Sequence, residues 1–335
     1  TILLRKDLVT NYQLDRVLTG ERLGFFYGPY KVLYMIGAGT FARVFRAVHR
    51  ETKRVVAVKV LRRRHRDQVG QVEQFLREGR MGLQLRHPNI VTIYDVGRTD
   101  NVAYMAMEFL EGLELKDILA ESGRPSVESA VDWITQIARG LSFAHDNDIV
   151  HRDVKPSNIL LSADGQPFLS DLGIVGGDER SRMTATGGLV GTIAYSAPEL
   201  LDNARHSPAS DTFSLGVLGY EIVSGRNPFA GHSLSGVLDA VRRGAYPPLA
   251  EAAPRVPARL AELITSAMSV DPSHRPANLE HFSHSILAVA PPERVRATQR
   301  DATTRIRPAP TLPPPTLHKA HEPDSSGART QLRAT

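Results

Sequence analysis

Read for apolar and polar alternation, the chain opens strand-rich and continues helix-rich. Tyr30, Val32 and Leu33 start one strand. Ile36 then leads into a glycine-rich turn, after which Val44, Phe45, Ala47 and Val48 resume the pattern of a β-hairpin. Val55-Val56-Ala57-Val58-Lys59-Val60 is a β-branched run with one lysine among apolar neighbours, and Ile93-Tyr94 and Val102 to Met107 give two further strands. Between them, Val72, Phe75, Leu76 and Leu83 recur at helical spacing from about Val69 to Leu85, and His87-Pro88 ends that helix. Gly79 and Gly82 lie inside it and should each cost roughly 1 kcal/mol relative to Ala, so this helix is expected to be marginal alone and its position a regulatory variable. Further on, Val127, Val131, Ile134, Ile137, Leu141 and Ala144 predict an amphipathic helix, and Phe213 to Val223 a buried one. Ile149-Val150 and Ile159-Leu160-Leu161 predict two short buried strands around a polar loop, His151 to Asn158.

The two ends differ from this body. Leu8, Leu14, Val17 and Leu18 have roughly helical spacing with Gly20 as a C-cap, so residues 1–29 are read as an extension whose short helix docks onto the neighbouring strands; packing is favoured over regulation. From Pro291 the chain holds eight of its 22 prolines, seven threonines and few large apolar residues. Such a segment buries too little surface to offset its ordering entropy, and 289–335 reads as a disordered Pro/Thr-rich tail, either a modification target through Thr298, Thr303 or Thr304 or a bland linker. The net charge of +5 would suggest a polyanion partner until it is located: eight Arg/Lys against four Asp/Glu in the tail leave +4 there. The body is close to neutral, which argues against nucleic acid. With 335 residues, 41% hydrophobic and 23% charged, the chain can bury a sizeable core. It has no cysteine, which excludes disulfides, thiolate metal sites and cysteine nucleophiles. No apolar run approaches 18 residues and no signal-peptide pattern is present, so a cytoplasmic chain without a membrane segment is expected; because it begins at Thr1 and not Met, an anchor beyond either end is left open.

Three stretches carry candidate chemistry. In Ile36-Gly37-Ala38-Gly39-Thr40-Phe41-Ala42-Arg43-Val44 a bare backbone turn can approach phosphate oxygens. A dinucleotide-binding turn would begin similarly but open a helix, whereas strand-like residues come next here; a plain hairpin is nearly as good a reading. Lys59 on a buried strand must find an anion, since an unpaired interior ammonium is costly, although an edge-strand lysine would escape that demand. The loop from Asp153 to Asn158 packs an acid, an ammonium (Lys155) and an amide into six residues. The basic run Arg62-Arg63-Arg64-His65-Arg66 is read as a solvated turn ahead of a specific phosphate patch.

His151-Arg152-Asp153-Val154-Lys155-Pro156-Ser157-Asn158, with the glycine-rich turn, Ser170-Asp171-Leu172-Gly173 and Ala197-Pro198-Glu199 in that order, resembles the motif set of the bacterial-type, eukaryotic-like serine/threonine protein kinases. The resemblance covers about 30–288. It departs at Ala42, which stands for the third lid glycine, and at Leu172, which stands for the phenylalanine of Asp-Phe-Gly. It implies an α+β bilobal fold, with a small antiparallel β lobe carrying one helix (30–108) and a larger, mainly helical lobe (109–288), and ATP between them.

By the same resemblance, Asp153 orients the substrate hydroxyl and accepts its proton while Lys155 steadies the γ-phosphate. Ile36 to Val44 form the lid, Ala57 lines the nucleotide site, and Lys59, paired with Glu78, holds the α- and β-phosphates. Met107 is the gatekeeper, and Glu108 and Leu110 offer backbone groups to adenine. Asn158 and Asp171 hold Mg²⁺, or Mn²⁺ in its place. Thr184 and Thr186 are activation-loop phosphorylation candidates with Arg152 as a natural partner, and Thr192 bridges the catalytic Asp and Lys at the substrate platform. Asp211 and Arg275 take structural jobs, the first bonding backbone around His151 and the second pairing with Glu199. Protein Ser/Thr hydroxyls are the implied substrates, with autophosphorylation in trans through a homodimer. A pseudokinase scaffold, binding nucleotide or partners without transfer, is the alternative that Ala42 and Leu172 keep open; a small-molecule kinase is poorly supported, since the segment from Thr192 to Glu199 resembles a protein-substrate platform.

Overall fold

The computed structural model describes residues 4, 9–21, 23–66, 69–172, 188–202, 204–231 and 233–289, the side chains of residues 69 and 188–190 apart. Residues 290–335 of the tail, Thr184 and Thr186 lie outside the described residues. Helix α1 (Asn11–Leu18) is followed by β1 (Phe26–Tyr27), β2 (Tyr30–Ala38), β3 (Ala42–His49) and β4 (Val55–Leu61). A one-turn helix α2 (Arg63–Arg66), helix α3 (Val69–Gly82), β5 (Ile93–Thr99) and β6 (Val102–Glu108) complete the small lobe. Its strands form one antiparallel sheet in the order β1-β2-β3-β4-β6-β5.

Alternation gives this sheet two faces. On one, Val32, Phe45, Ala47, Val58 and Val60 bury against Tyr27, Tyr30 and Tyr104. On the other, Leu61, Ile93, Ala103 and Met105 bury against Val72, Phe75 and Leu76 of α3. The glycines of α3 make the second contact close: a Cβ on Gly79 would stand 2.6 Å from Val96 Cγ2, and one on Gly82 would stand 2.4 Å from Ile93 Cδ1.

Helix α1 meets β2 through polar residues and not through the apolar positions at helical spacing. Thr10 and Gln13 form a capping box. Their side chains also donate to the carbonyls of Leu33 and Val32, beside the register shift between Val32 and Tyr34 that interrupts the β2–β3 ladder. Gln13 is buried, whereas Val17 and Leu18 are 59% and 74% exposed. The polar demand of a bulged strand, and not an apolar stripe, seats this helix.

The large lobe runs β7 (Gly112–Glu114), α4 (Leu115–Ser122), α5 (Val127–Asp146), β8 (Ile159–Ser162), β9 (Pro167–Leu169), α6 (Gly188–Ile193), α7 (Pro208–Ser224), α8 (Leu234–Arg243), α9 (Leu249–Ala252), α10 (Ala258–Ala267) and α11 (Leu279–Leu287). Its core is built from Ile134, Ile137 and Leu141 of α5 with Phe213, Val217 and Leu218 of α7, roofed by Ile159, Leu161 and Leu169 of a small β7-β8-β9 sheet. The fold is thus α+β and bilobal. Ile149-Val150 is not the strand expected: the N–H groups of Asn147 and Ile149 both donate to Ala144 O, at 3.1 and 2.9 Å, closing the end of α5 instead of joining a ladder.

Candidate active site

The polar loop is shaped from beneath by a buried acid on α7. Asp211, 1% exposed, accepts from the backbone N–H of His151 at 2.7 Å and of Arg152 at 2.8 Å, the expected structural job. It also lies 2.8 Å from His145 Nε2 in the last turn of α5, a partner that sequence reasoning missed because a contact 66 residues apart leaves no periodic signal. Two fixed N–H groups force the turn at Arg152, whose φ is 69°, a left-handed value that needs such support.

Above this anchor the loop closes on itself. Asn158 Nδ2 donates to Asp153 O at 2.7 Å and to Asp153 Oδ2 at 2.9 Å. Lys155 Nζ stands 2.9 Å from the same Oδ2 and 3.3 Å from Thr192 Oγ1. One carboxylate oxygen is therefore held by an amide and an ammonium at once, and Thr192, 37 residues away in sequence, completes the group. Ser170 joins the next segment to it, its N–H donating to Asn158 O at 2.9 Å. This sets Asp171 beside the cluster.

Lys59 reaches Asp171 from the small lobe, with Nζ to Oδ1 at 2.6 Å. Its place on β4 is set by register: Val44, Lys59 and Met105 are paired across three strands, and Gly37 pairs with Val44. Partial desolvation in the cleft works against the charge on Asp171. The Lys59 ammonium and its hydrogen bond, helped by His151 and Lys155, outweigh it and hold the carboxyl below its ordinary range. Here the structure corrects an expectation, since the carboxylate partner of Lys59 is Asp171 and not Glu78. Glu78 accepts from Gln74 Nε2 at 3.0 Å and lines a small cavity with Arg152 and Leu172. The physical reason is that its helix face turns it toward residues 148–152 at the start of the polar loop, leaving Asp171 as the anion within reach of the ammonium.

The other expected positions fall around this centre. Ile36, Gly37 and Ala38 end β2, Ala42, Arg43 and Val44 begin β3, and Gly39, Thr40 and Phe41 make the turn, closed by Gly39 N donating to Ala42 O at 2.9 Å. Ala42, in place of glycine, is buried. Ala57 pairs with Met107. The N–H of Glu108 is taken by Thr92 O at 2.8 Å, so its carbonyl is what it has to offer a ligand, and Leu110 follows at the lobe junction. Leu172 is 4% exposed within the large-lobe core. At the platform, Arg275, with its side chain fully buried, grips Glu199 with two bonds of 2.7 Å.

Among the described residues no group of three or more His, Asp or Glu could hold a metal ion by itself. The oxygen donors left over nearby are the Asn158 amide and the Asp171 carboxylate. Asn158 turns its Nδ2 onto Asp153, which leaves Oδ1 as its acceptor, and Asp171 spends one oxygen on Lys59. Hard oxygen donors, too few to enclose an ion, suit a small dication that completes its shell with phosphate oxygens and water.

Comparison with known proteins points the same way. The protein kinase domain family model matches residues 30–287. The chain is 36% identical over 307 residues to serine/threonine-protein kinase PknA of Mycobacterium tuberculosis, covering 90% of this chain and 68% of that protein. It is 33% identical over 270 residues to serine/threonine-protein kinase PrkC of Bacillus subtilis, covering 81% and 41% respectively. Likewise it is 33% identical over 318 residues to serine/threonine-protein kinases drp72 of Corynebacterium efficiens, covering 91% and 60%.

Proposed function

Because the chain belongs to the protein kinase family, among its bacterial serine/threonine members, we propose a division of labour among its residues for moving the γ-phosphate of ATP to a protein hydroxyl. The chain is a protein serine/threonine kinase, and its family uses ATP with a divalent metal. The observation that carries the assignment of roles is the knot of Asp153, Lys155, Asn158 and Thr192, faced across the cleft by the Lys59–Asp171 pair.

Asp153 orients the incoming hydroxyl and takes its proton. Lys155 and Asn158 fix one of its carboxylate oxygens, which leaves the other for the hydroxyl. Lys155 also places an ammonium where charge develops on the transferred group. Lys59 has three donors, so it can hold Asp171 and phosphate oxygens together. Asn158 Oδ1 and the remaining oxygen of Asp171 hold the metal, which we assign as Mg²⁺ with Mn²⁺ as a substitute. When bound, that ion neutralises phosphate charge. The glycine-rich turn covers the phosphates, and Ala57, Met107, Glu108 and Leu110 frame adenine. Thr192 fixes Lys155 and so links substrate platform to catalytic loop.

Residues 30–288 are the kinase domain in this reading, with 1–29 as a docking extension. Thr184 and Thr186 are the proposed phosphorylation sites, reached in trans between two copies, and a near-neutral body favours protein over nucleic-acid partners. No helix among the described residues is long and apolar enough to cross a membrane. Nothing in the comparisons favours a scaffold without transfer.

The test is phosphate transfer from labelled ATP to a basic protein, with Asp153→Asn beside the wild type. The variant should lose at least about 100-fold in turnover while its ATP affinity stays within a few fold. Near-normal turnover would remove Asp153 from its role, and label confined to tyrosine would overturn the substrate class.

A further inference from the structure

The basic run after β4 is neither a bare solvated turn nor a free phosphate patch. Its side chains reach back onto the tip of the glycine-rich turn and bind its carbonyls. Arg62 Nη1 donates to Gly39 O at 3.0 Å, Arg64 Nη2 donates to Thr40 O, and the backbone N–H of Arg62 donates to Phe41 O at 2.9 Å. All three tip carbonyls are thus taken by one short segment. Arg64 Nε also lies 3.0 Å from His65 Nε2, which itself stands 3.3 Å from Thr40 O, so His65 braces Arg64 at the same carbonyl. The His65 ring stacks on Phe41 with centroids 4.6 Å apart and planes 24° apart.

The same peptide groups have a second side. The carbonyl of Gly39 shares its peptide unit with the N–H of Thr40, and that of Thr40 with the N–H of Phe41. Neither of those N–H groups donates to another described residue. A cationic donor on a carbonyl polarises the peptide and strengthens its N–H as a donor, and a tip held on its carbonyl side has fewer conformations to lose when its N–H side meets an anion.

We propose that Arg62, Arg64 and His65 form a strap that holds the lid tip with its Thr40 and Phe41 N–H groups ready for phosphate oxygens, making Arg62 and Arg64 positioning residues for phosphoryl transfer. This rests on the reading that ATP phosphates lie under the lid. Arg63 is an internal control: it adds the same charge to the same run, yet makes no hydrogen bond to the lid.

The experiment measures binding of ATP and of adenosine, and KM against kcat for ATP, in four proteins: wild type, Arg62→Ala/Arg64→Ala, Arg62→Lys/Arg64→Lys, and Arg63→Ala. The double alanine variant should bind ATP about tenfold more weakly, raise KM more than it lowers kcat, and keep adenosine affinity within twofold. The lysine variant should recover much of the loss, and Arg63→Ala should match wild type. ATP binding unchanged in the double alanine variant would overturn the strap. So would an equal loss for adenosine, which signals general damage to the lobe, or an equal loss in Arg63→Ala, which signals simple charge attraction. Wild-type protein that fails to bind ATP would remove the underlying reading instead.

Discussion

Asp171 is the residue whose charge state most directly couples the two lobes. Partial desolvation in the cleft disfavours its ionised form, but Lys59, with the nearby His151 and Lys155, reverses that and depresses its pKa below the ordinary carboxylate value. For a carboxylate depressed in the folded state, the stabilisation is complete above the unfolded value and is lost as pH falls through the folded one. Asp171→Asn should therefore cost the same at every pH from 5 to 9. The cost should be under about 1 kcal/mol, because solvent reaches a carboxylate that is 47% exposed. Urea midpoints of wild type and variant should converge only below pH 3.8. A gap that instead narrows as pH rises from 5 to 7 would assign the coupling to a histidine. At this scale the sequence was informative about motif residues and silent about their company. The Asp211 and Arg275 contacts were legible because fixed motifs specify them. His145 under Asp211, the exchange of Glu78 for Asp171, and the carbonyl contacts of Arg62 and Arg64 were not, since bonds between distant side chains or to backbone leave no periodic signal.

Helix α3 shows how an element can be read correctly while the reason for its composition is misread. Its glycines look like a propensity penalty of about 1 kcal/mol each, and by that logic alone Gly79→Ala should stabilise. The packing opposes this. A Cβ at Gly79 would meet Val96 Cγ2 at 2.6 Å, Val96 Cγ1 at 2.9 Å and Met105 Cε at 2.9 Å. Met105 can swing aside, but Val96 is a stiff β-branched residue on β5. Overpacking of this kind costs about 1–3 kcal/mol, so it should exceed the propensity gain. Gly79→Ala should lower the melting temperature and weaken hydrogen-exchange protection along α3, with β5 following. A variant more stable than wild type would show that α3 sits loosely enough to move off the sheet, as a regulatory helix would. The longer strands and α3 of this lobe were legible from period because each buries one face, whereas the two-residue β1 and the one-turn α2, which buries no residue, were too short to carry a period. Docking of α1 through Thr10 and Gln13 was not, because it answers an interrupted ladder that only the register between β2 and β3 reveals.

At the scale of the molecule, the two lobes meet through more than the cleft. The segment after α3 belongs by sequence to the small lobe, yet it is built into the large one. Asn89 is 4% exposed. Its Nδ2 donates to Gln136 Oε1 on α5 at 2.8 Å and to Pro167 O at 3.0 Å, while its own carbonyl accepts from Leu169 N at 2.8 Å. Val91 N returns to Leu169 O at 2.9 Å. Gly140 on α5 makes room for this, since a Cβ there would stand 3.2 Å from Asn89 O. Any rotation of the small lobe must then pivot about this fixed loop and the Glu108–Leu110 junction, carrying Lys59 toward or away from Asp171. The bilobal plan could be read from the switch between strand and helix periods, but this anchorage could not, because His87-Pro88-Asn89 reads only as a helix stop. Asn89→Ala leaves the carbonyl of Pro167 without that donor in a buried site, a loss of about 1–3 kcal/mol. Hydrogen exchange should then rise at residues 87–91 and along β9, and stay near wild type in β3 and β4, whose ladder the change does not touch. Uniform loss of protection in both lobes would mean that the loop stabilises the whole fold and is not the pivot.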